Sequence, residues 1–453
     1  MAQELELNGR KVLVVGLART GLATVKFLKS RGAIVSATEA RPKDEMKEAA
    51  AEMESMDIPA EWGGHQTETF LNPDLIVVSP GVDLSLEPIQ HALKRGRRVI
   101  GEIELAYRFI HAPILAVTGT NGKTTTTLLL GEMLKEGGMK AGVGGNVGEP
   151  LILFAGETSW DVVVAEISSF QLETIESFRP RFSVLLNITE DHLDRYARYE
   201  DYIGAKVRIF ENQNSGDTAI LNKDDPLVAK YGQNIKAKRI FFSLKERLEE
   251  GSFFNGQSIV LRNSGREEDY SLAQASLKGI HNVENMMAAL TTARLFDCSK
   301  EAIETVLRRF KGLEHRVEFV RETGGVRFYN DSKGTNVGSV VKSLQGFSEP
   351  VILIAGGKDK NGDLSPLRPL VRNRVRQLIL IGEAKERMYR ELGGLTETLL
   401  AATLEEAVAL AHRKARRGEV VLLSPACSSF DMFKDYKERG KVFKEAVHSL
   451  KSE

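Results

Sequence analysis

The chain has 453 residues, of which 42% are hydrophobic and 27% charged, with 13 prolines. That length exceeds one ordinary core and predicts about two to four domains. Lys+Arg and Asp+Glu both total 62, so no net field draws the chain to nucleic acid or an anionic membrane, and the expected partners are small molecules. No apolar stretch approaches the ~20 residues of a membrane span. The opening MAQELELNGRK lacks the layout of a secretory signal, and Cys298 and Cys427 lack metal-ligand spacing. A cytoplasmic protein with free thiols is expected.

Short β-branched runs alternate with helical stretches along the chain: KVLVVG (11–16), LIVVSPG (75–81), ILAVTG (114–119), DVVVAEIS (161–168), FSVLLNIT (182–189), PVILIAGG (350–357), QLILIG (377–382) and EVVLLSPA (419–426). Continuous apolar strands suit parallel sheets covered by helices on both faces, so the fold class is α/β in more than one doubly wound unit. The runs fall into three groups, predicting domains over 1–102, 103–313 and 314–453. Within the second, 217–278 reads as a less regular insert of short strands such as RIFFSL and SIVLRN.

In the first group, Gly16-x-Ala18-x-x-Gly21 resembles a dinucleotide fingerprint with alanine at its middle glycine, and Glu39 closes the next strand where a ribose-binding acid would stand. The alternatives are an NAD-binding oxidoreductase or a structural turn.

The second group carries most of the polar motifs. Gly119-Thr120-Asn121-Gly122-Lys123-Thr124 joins a buried strand to a helix. Glycines let backbone N–H groups converge on phosphate, Lys123 can neutralise it, and the Thr124 hydroxyl can ligate Mg²⁺. The general phosphate-loop pattern fails only at Val117, where its first glycine would stand. Glu166 ends the following strand, where α/β folds place ligands, and offers oxygen to a magnesium ion; a helix-start or surface charge is the alternative. Asn187-Ile188-Thr189-Glu190-Asp191-His192-Leu193-Asp194 is a dense polar strand end, read as facing the phosphates or as a capped helix start with His192 solvated. On the predicted helix 199–210, Lys206 falls within an apolar stripe of Tyr199, Tyr202, Ile203, Ile209 and Phe210. It is either a snorkelling or ion-paired lysine, or a desolvated neutral amine able to take up CO₂ as a carbamate.

In the third group, Arg316 and Lys333 can neutralise phosphate and Asp331 can contact ribose or support metal ligands. Gly356-Gly357-Lys358-Asp359-Lys360 and Ser424-Pro425-Ala426-Cys427-Ser428-Ser429 follow strands and can hold a small anion.

Taken in order, TGTNGKTTT, EISSFQLE, NITEDHLDRY, LEHRVE, NDSKGTN and SPACSSFD resemble the Mur ligase family across essentially the whole chain, and within it the branch that adds D-glutamate to UDP-N-acetylmuramoyl-L-alanine. The resemblance implies an N-terminal Rossmann-like UDP-binding domain, a central ATPase and a mobile C-terminal Rossmann-like domain, acting as a monomer in peptidoglycan precursor synthesis. It implies ATP and two Mg²⁺ as cofactors, and CO₂ as a carbamate on Lys206. Arg19, Thr20, Glu39, Ala40, Arg41, Ser79 and Gly81 would contact UDP, with Asn146, Gln171 and His192 along the muramoyl-alanine arm. Gly119, Thr120, Asn121, Gly122, Lys123, Thr124, Thr125 and Thr126 would hold the ATP phosphates, completed by Asn282, Arg316 and Asp331. Thr335, Lys360, Ser429 and Tyr436 would bind D-glutamate. Lys123, Glu166, His192 and Lys206 would be the catalytic set, and Thr124, Glu166, His192 and Lys206 the metal ligands. Arg19 stands where leucine is common in that branch, and Tyr436 where phenylalanine is.

Overall fold

A computed structural model describes residues 4–192, 195–263 and 265–450. Leu193 and Asp194 of the polar strand-end motif therefore lie outside the described residues. The chain forms three sheets in sequence order, and most of the apolar runs become fully buried parallel strands.

The first sheet holds β1 (Lys11–Val15), β2 (Ile34–Glu39), β3 (Ala60–Trp62), β4 (Leu75–Val78) and β5 (Arg98–Gly101), in the order β3-β2-β1-β4-β5. All its pairings are parallel. The order reverses between β1 and β4, which opens a crevice at the strands' C-terminal ends. Gly16, Glu39 and Ser79 stand there.

The central sheet holds β6 (Ile114–Thr118), β7 (Ala141–Gly145), β8 (Val162–Glu166), β9 (Phe182–Leu185), β10 (Thr218–Asn222), β11 (Lys238–Ser243), β12 (Gly251–Phe254), β13 (Ser258–Asn263) and β14 (Arg266–Ser271). Its order is β14-β13-β12-β11-β10-β9-β6-β8-β7, antiparallel only from β12 to β14. The segment 217–278, expected to be irregular, continues this sheet. RIFFSL pairs in parallel with β10, and the two strands after β12 close the edge as antiparallel neighbours.

The third sheet holds β15 (Glu318–Thr323), β16 (Val326–Asn330), β17 (Val351–Gly356), β18 (Val375–Ile381), β19 (Glu397–Leu400) and β20 (Val420–Leu423), ordered β15-β16-β20-β17-β18-β19. Only β15 runs antiparallel. Its two-residue turn is Gly324-Gly325, with φ of 59° and 73°, a hairpin geometry that glycine adopts without steric cost.

The two domain junctions differ in kind. One apolar cluster runs from Val12 and Leu75 in the first sheet through Ile103 and Phe178 to Ala165 and Leu221 in the central sheet. The third sheet keeps its own two clusters, one on each face. The first two units thus share a core, whereas the third meets the central unit through polar side chains. Among the described residues no helix is long and apolar enough to cross a membrane.

Phe178 is fully buried in the shared core and packs edge-on against Tyr107, with ring centroids 5.6 Å apart. Phe178→Ala should cost about 3–5 kcal/mol in denaturant unfolding. A loss below about 1 kcal/mol would show that this seam is not packed as a core.

Candidate active site

The loop after β6 has the backbone that its glycines predict. Gly119 has φ 151° and Gly122 φ 88°, and a Cβ on Gly122 would meet Asn285 Oδ1 at 2.2 Å. Gly122 precedes the helix Lys123–Glu136. Lys123 Nζ donates to the carbonyls of Gly119 (2.8 Å) and Thr120 (2.9 Å), folding back over its own loop. Burial holds its pKa below the usual lysine value.

Asn187, at the end of the next strand, splints the loop. Its Oδ1 accepts the Asn121 amide at 2.8 Å, its Nδ2 donates to the Asn121 carbonyl at 3.0 Å, and its own carbonyl accepts the Thr120 amide at 2.9 Å. Thr126 Oγ1 donates to Asn285 Oδ1 at 3.3 Å. Thr120 shares a 2.9 Å hydrogen bond with the Tyr202 hydroxyl. Tyr202, read from the sequence as part of an apolar stripe, therefore also orders the phosphate loop.

Glu166 is 2% exposed at the tip of β8. One carboxylate oxygen accepts Asn146 Nδ2 at 2.7 Å, and the other is buried with no protein partner. An unpaired buried carboxylate oxygen is costly unless a cation meets it, so the donor suits Mg²⁺. Among the described residues no three His, Cys, Asp or Glu side chains cluster as a metal site. The Thr124 hydroxyl is a further oxygen in the same cleft, and Mg²⁺ ordinarily completes its shell with water and phosphate oxygens.

Lys206 is 2% exposed in the helix Tyr199–Val207, so the snorkelling alternative fails. Its Nζ donates to the Gly119 carbonyl at 2.8 Å and lies 4.6 Å from the Tyr202 ring centroid. Burial, reinforced by the neighbouring Lys123 charge, holds its pKa well below the ordinary value, which favours the neutral amine. His192 sits in a loop with φ 57°, its ring 4.7 Å from that of Phe170, and burial lowers its pKa. Its side chain is 38% exposed, so it is not fully solvated.

The third unit closes over this loop. Arg316 Nη2 donates to Thr124 Oγ1 at 2.9 Å, Ser339 Oγ to Asn121 Oδ1 at 2.7 Å, and Asn336 Nδ2 to Asp191 Oδ2 at 2.9 Å. Lys360 pairs with Asp191 at 3.4 Å, and Lys342 forms an ion pair with Glu284. Asp331 is buried and accepts the hydroxyls of Ser343 and Ser424, both at 2.7 Å; burial raises its pKa to about 6. Lys333 Nζ lies 3.8 Å from the Tyr436 ring centroid, its pKa lowered by burial to about 8.

A cleft of about 630 Å³ between the units, the size of a small-molecule site, is lined by Lys123, Thr124, Asn146, Glu166, His192, Arg316, Lys333, Thr335 and Tyr436. A side cavity beyond Asn121 takes in Asn282, Asn285, Arg316 and Asp331. A third cavity joins His192, Thr335 and Lys360 but not Lys358. The four residues expected at D-glutamate thus separate. Thr335 reaches both spaces and Tyr436 the cleft, while Ser429 is buried, with its carbonyl accepting the Met432 and Phe433 amides.

At the first sheet, Glu39 accepts the Leu17 amide at 2.7 Å and pairs with Arg41 at 2.9 Å. Burial raises its pKa, but these bonds bring the net below the ordinary carboxylate range. Ser79 Oγ donates to the Gly16 carbonyl at 2.8 Å, and the Thr20 carbonyl accepts Thr24 Oγ1 at 2.9 Å. Arg19 reaches the Gly148 carbonyl at 2.9 Å and forms an exposed ion pair with Glu149. Ala40 is exposed, and Gly81 has φ 94°.

Three family descriptions match the chain in register with these units: "Mur ligase MurD-like, N-terminal domain" over 10–101, "Mur ligase middle domain" over 117–293 and "Mur ligase, glutamate ligase domain" over 315–427. The UDP-N-acetylmuramoylalanine--D-glutamate ligase of Geotalea daltonii is 56% identical over 98% of this chain and 99% of its own. That of Citrifermentans bemidjiense is 52% identical over 99% of each. The chain belongs to the Mur ligase family. Among solved structures, the Thermotoga maritima UDP-N-acetylmuramate-alanine ligase (18% identity, 98% and 100% coverage) and the Thermotoga maritima MurF ligase in complex with ADP (16%, 98% and 99%) both superpose with a TM-score of 0.61. At those identities they establish the shared fold. As a Mur ligase this chain is an ATP-dependent, amide-bond-forming enzyme, and Mg²⁺ is the metal the family uses.

Sequence reasoning placed Asn187 in the strand end facing the phosphates without giving it a role of its own, and did not assign Tyr202, Asn285 or Asn336 to the site of this Mur ligase. The i,i+3 spacing of Asn282 and Asn285 on the helix Ile280–Arg294 was a usable signal for one of them. The others act through partners distant in sequence.

His281 borders the side cavity with its Nδ1 buried and unpartnered, and burial lowers its pKa to about 4. Between about 4 and the unfolded value near ~6.5, the unfolded chain takes up a proton that the folded chain refuses, so stability falls as pH drops through that window. In urea unfolding at about pH 7 and about pH 5, His281→Gln should lose less stability on acidification than the unaltered protein. Equal losses would assign the acid sensitivity to other groups.

Proposed function

We propose that this enzyme adds D-glutamate to UDP-N-acetylmuramoyl-L-alanine in peptidoglycan precursor synthesis, converting ATP to ADP and phosphate. The observation that carries the reading is the convergence of the Lys123 loop, the half-satisfied Glu166 carboxylate and the third-unit cations on one cleft. The full-length identity to relatives bearing that name supports the choice of substrates. On this reading residues 1–102 hold UDP, 103–313 hold ATP and 314–453 hold the amino acid, in a cytoplasmic monomer whose partners are small molecules.

Amide formation in water needs an activated acid. The alanyl carboxylate attacks the γ-phosphorus of ATP, ADP departs, and an acyl phosphate forms. The D-glutamate amine then attacks the acyl carbon, loses a proton, and the tetrahedral intermediate expels phosphate. Lys123, now bound to its own loop's carbonyls, swings to the phosphate oxygens when ATP enters. Arg316 reaches the same phosphates from the third unit, so closure and charge neutralisation occur together. Closure also excludes water from the acyl phosphate. Asn282 and Asp331 border the side cavity that extends from the loop, suited to the nucleoside. Asn146, Gln171 and His192 lie along the path from the first sheet to the phosphates, suited to the muramoyl-alanine arm. Thr335 and Lys360 would receive the D-glutamate carboxylates, with Tyr436 at the reacting side and Ser429 shaping the wall.

Two magnesium ions, held by Thr124, Glu166, His192 and a carbamylated Lys206, would neutralise charge on the transferring phosphoryl group. The buried neutral amine of Lys206 suits carbamylation. Nitrogen bonds to the carbon of CO₂ and a proton leaves to solvent, giving the anionic oxygens that the site lacks.

Phosphate release with UDP-N-acetylmuramoyl-L-alanine and a panel of amino acids should be stimulated by D-glutamate alone. Stimulation by L-alanine on the unsubstituted nucleotide sugar would overturn the assignment. Lys206→Ala should reduce turnover by at least about a hundredfold, with partial rescue by small carboxylic acids. Full activity of that variant would remove the carbamate from the mechanism.

A further inference from the structure

The mechanism above leaves Arg195 without a role, yet this side chain joins two domains. It follows the loop that presents His192, and the His192 carbonyl accepts the amides of both Arg195 and Tyr196 at 3.0 Å. Those two bonds brace a histidine whose φ of 57° is uncommon for a residue with a side chain. The Arg195 guanidinium then crosses to the first domain. Nη1 donates to the Gly81 carbonyl at 3.3 Å and Nη2 to the Val82 carbonyl at 3.0 Å. Its face lies 4.0 Å from the ring centroid of Phe170, the same ring that packs on His192. Glu173 balances its charge at 3.5 Å and accepts the Tyr196 hydroxyl.

We propose that Arg195 is a positioning residue for the nucleotide-linked substrate: it pins the Ser79–Val82 turn of the first domain to the loop carrying His192, and so sets the span across which that substrate is gripped. The inference rests on the proposed reading that Ser79 and Gly81 face UDP while Gln171 and His192 line the muramoyl-alanine arm. A substrate held at both ends is bound well only when the distance between the grips matches its length. An arginine suits the task because its planar fork can bond successive carbonyls while its face stacks on an aromatic ring. Lysine can supply the charge but neither the fork nor the stacking face. On the same reading ATP is gripped by the central and third domains, in a cleft that Arg195 itself does not line.

The test is steady-state kinetics on the full-length enzyme, with Arg195→Lys and Arg195→Ala, varying each substrate in turn and measuring binding of UDP-N-acetylmuramoyl-L-alanine calorimetrically. Both variants should raise KM and Kd for the nucleotide sugar by about tenfold or more while KM for ATP stays within about twofold. Phe170→Leu, which keeps an apolar side chain but removes the stacking face, should shift the same constant in the same direction. Equal weakening for ATP and the nucleotide sugar would overturn the inference, as would a fall in kcat with KM unchanged. If Arg195→Ala does not fold, Arg195→Lys decides by the same criteria. Failure of the unaltered enzyme to bind UDP-N-acetylmuramoyl-L-alanine would instead overturn the substrate reading, which separates the two claims.

Discussion

Cationic side chains from two domains crowd one cleft that holds few fixed acids. Lys123 approaches from the central domain and Arg316 and Lys333 from the third, with Lys206 behind the loop and Lys360 in the adjoining cavity, each within electrostatic reach of another. Glu166 and Asp191 are the carboxylates that oppose them most directly. Repulsion in a partly dry site is expensive, so the arrangement favours a multiply charged anion and its metal. Much of the surrounding architecture follows from that demand. The phosphate loop is splinted by Asn187, Lys123 is parked on its own carbonyls, and Lys206 is buried behind the loop with its pKa held well down.

The two domain junctions answer different needs. Between the first and central domains the apolar cluster is continuous, and separating them would expose hydrocarbon. That joint is suited to holding a long substrate at fixed length. Between the central and third domains the contacts are hydrogen bonds and ion pairs: Arg316 to Thr124, Ser339 to Asn121, Asn336 and Lys360 to Asp191, and Lys342 to Glu284. Water can replace each of these partners, so each bond contributes only about 1 kcal/mol net. A reaction that must admit ATP and an amino acid, then exclude water, needs such a joint over the phosphate loop.

The side chains of the cleft show how position converts one residue type into several chemical forms. Lys123, Lys206 and Lys333 are all lysines lowered by burial and by a neighbouring cation, with Lys206 held well below the ordinary value and Lys333 brought to about 8. Asp331 is raised to about 6 by burial despite two hydroxyl donors, while Asp191 is brought below its ordinary value by Lys360 and His192 against the effect of burial. Burial pushes acids up and lysines down, and the charged neighbours that the fold supplies decide whether that push prevails.

Local pattern determined a large part of this protein. Continuous apolar runs specify buried parallel strands because no solvent face is left to encode. The glycines and lysine of the phosphate loop specify their site because phosphate recognition there is built from adjacent residues. Motif order along the chain likewise carried the family. Tertiary structure alone decided what depends on distant partners: that Tyr202 is a polar member of the loop's scaffold, that Asn187 splints it, and that Arg195 spans to Gly81. It also decided that residues 217–278 extend the central sheet, since pairing with β10 is a long-range choice that short strands do not announce. Periodicity records which face a residue presents, whereas a hydrogen bond across more than a hundred residues leaves no local trace.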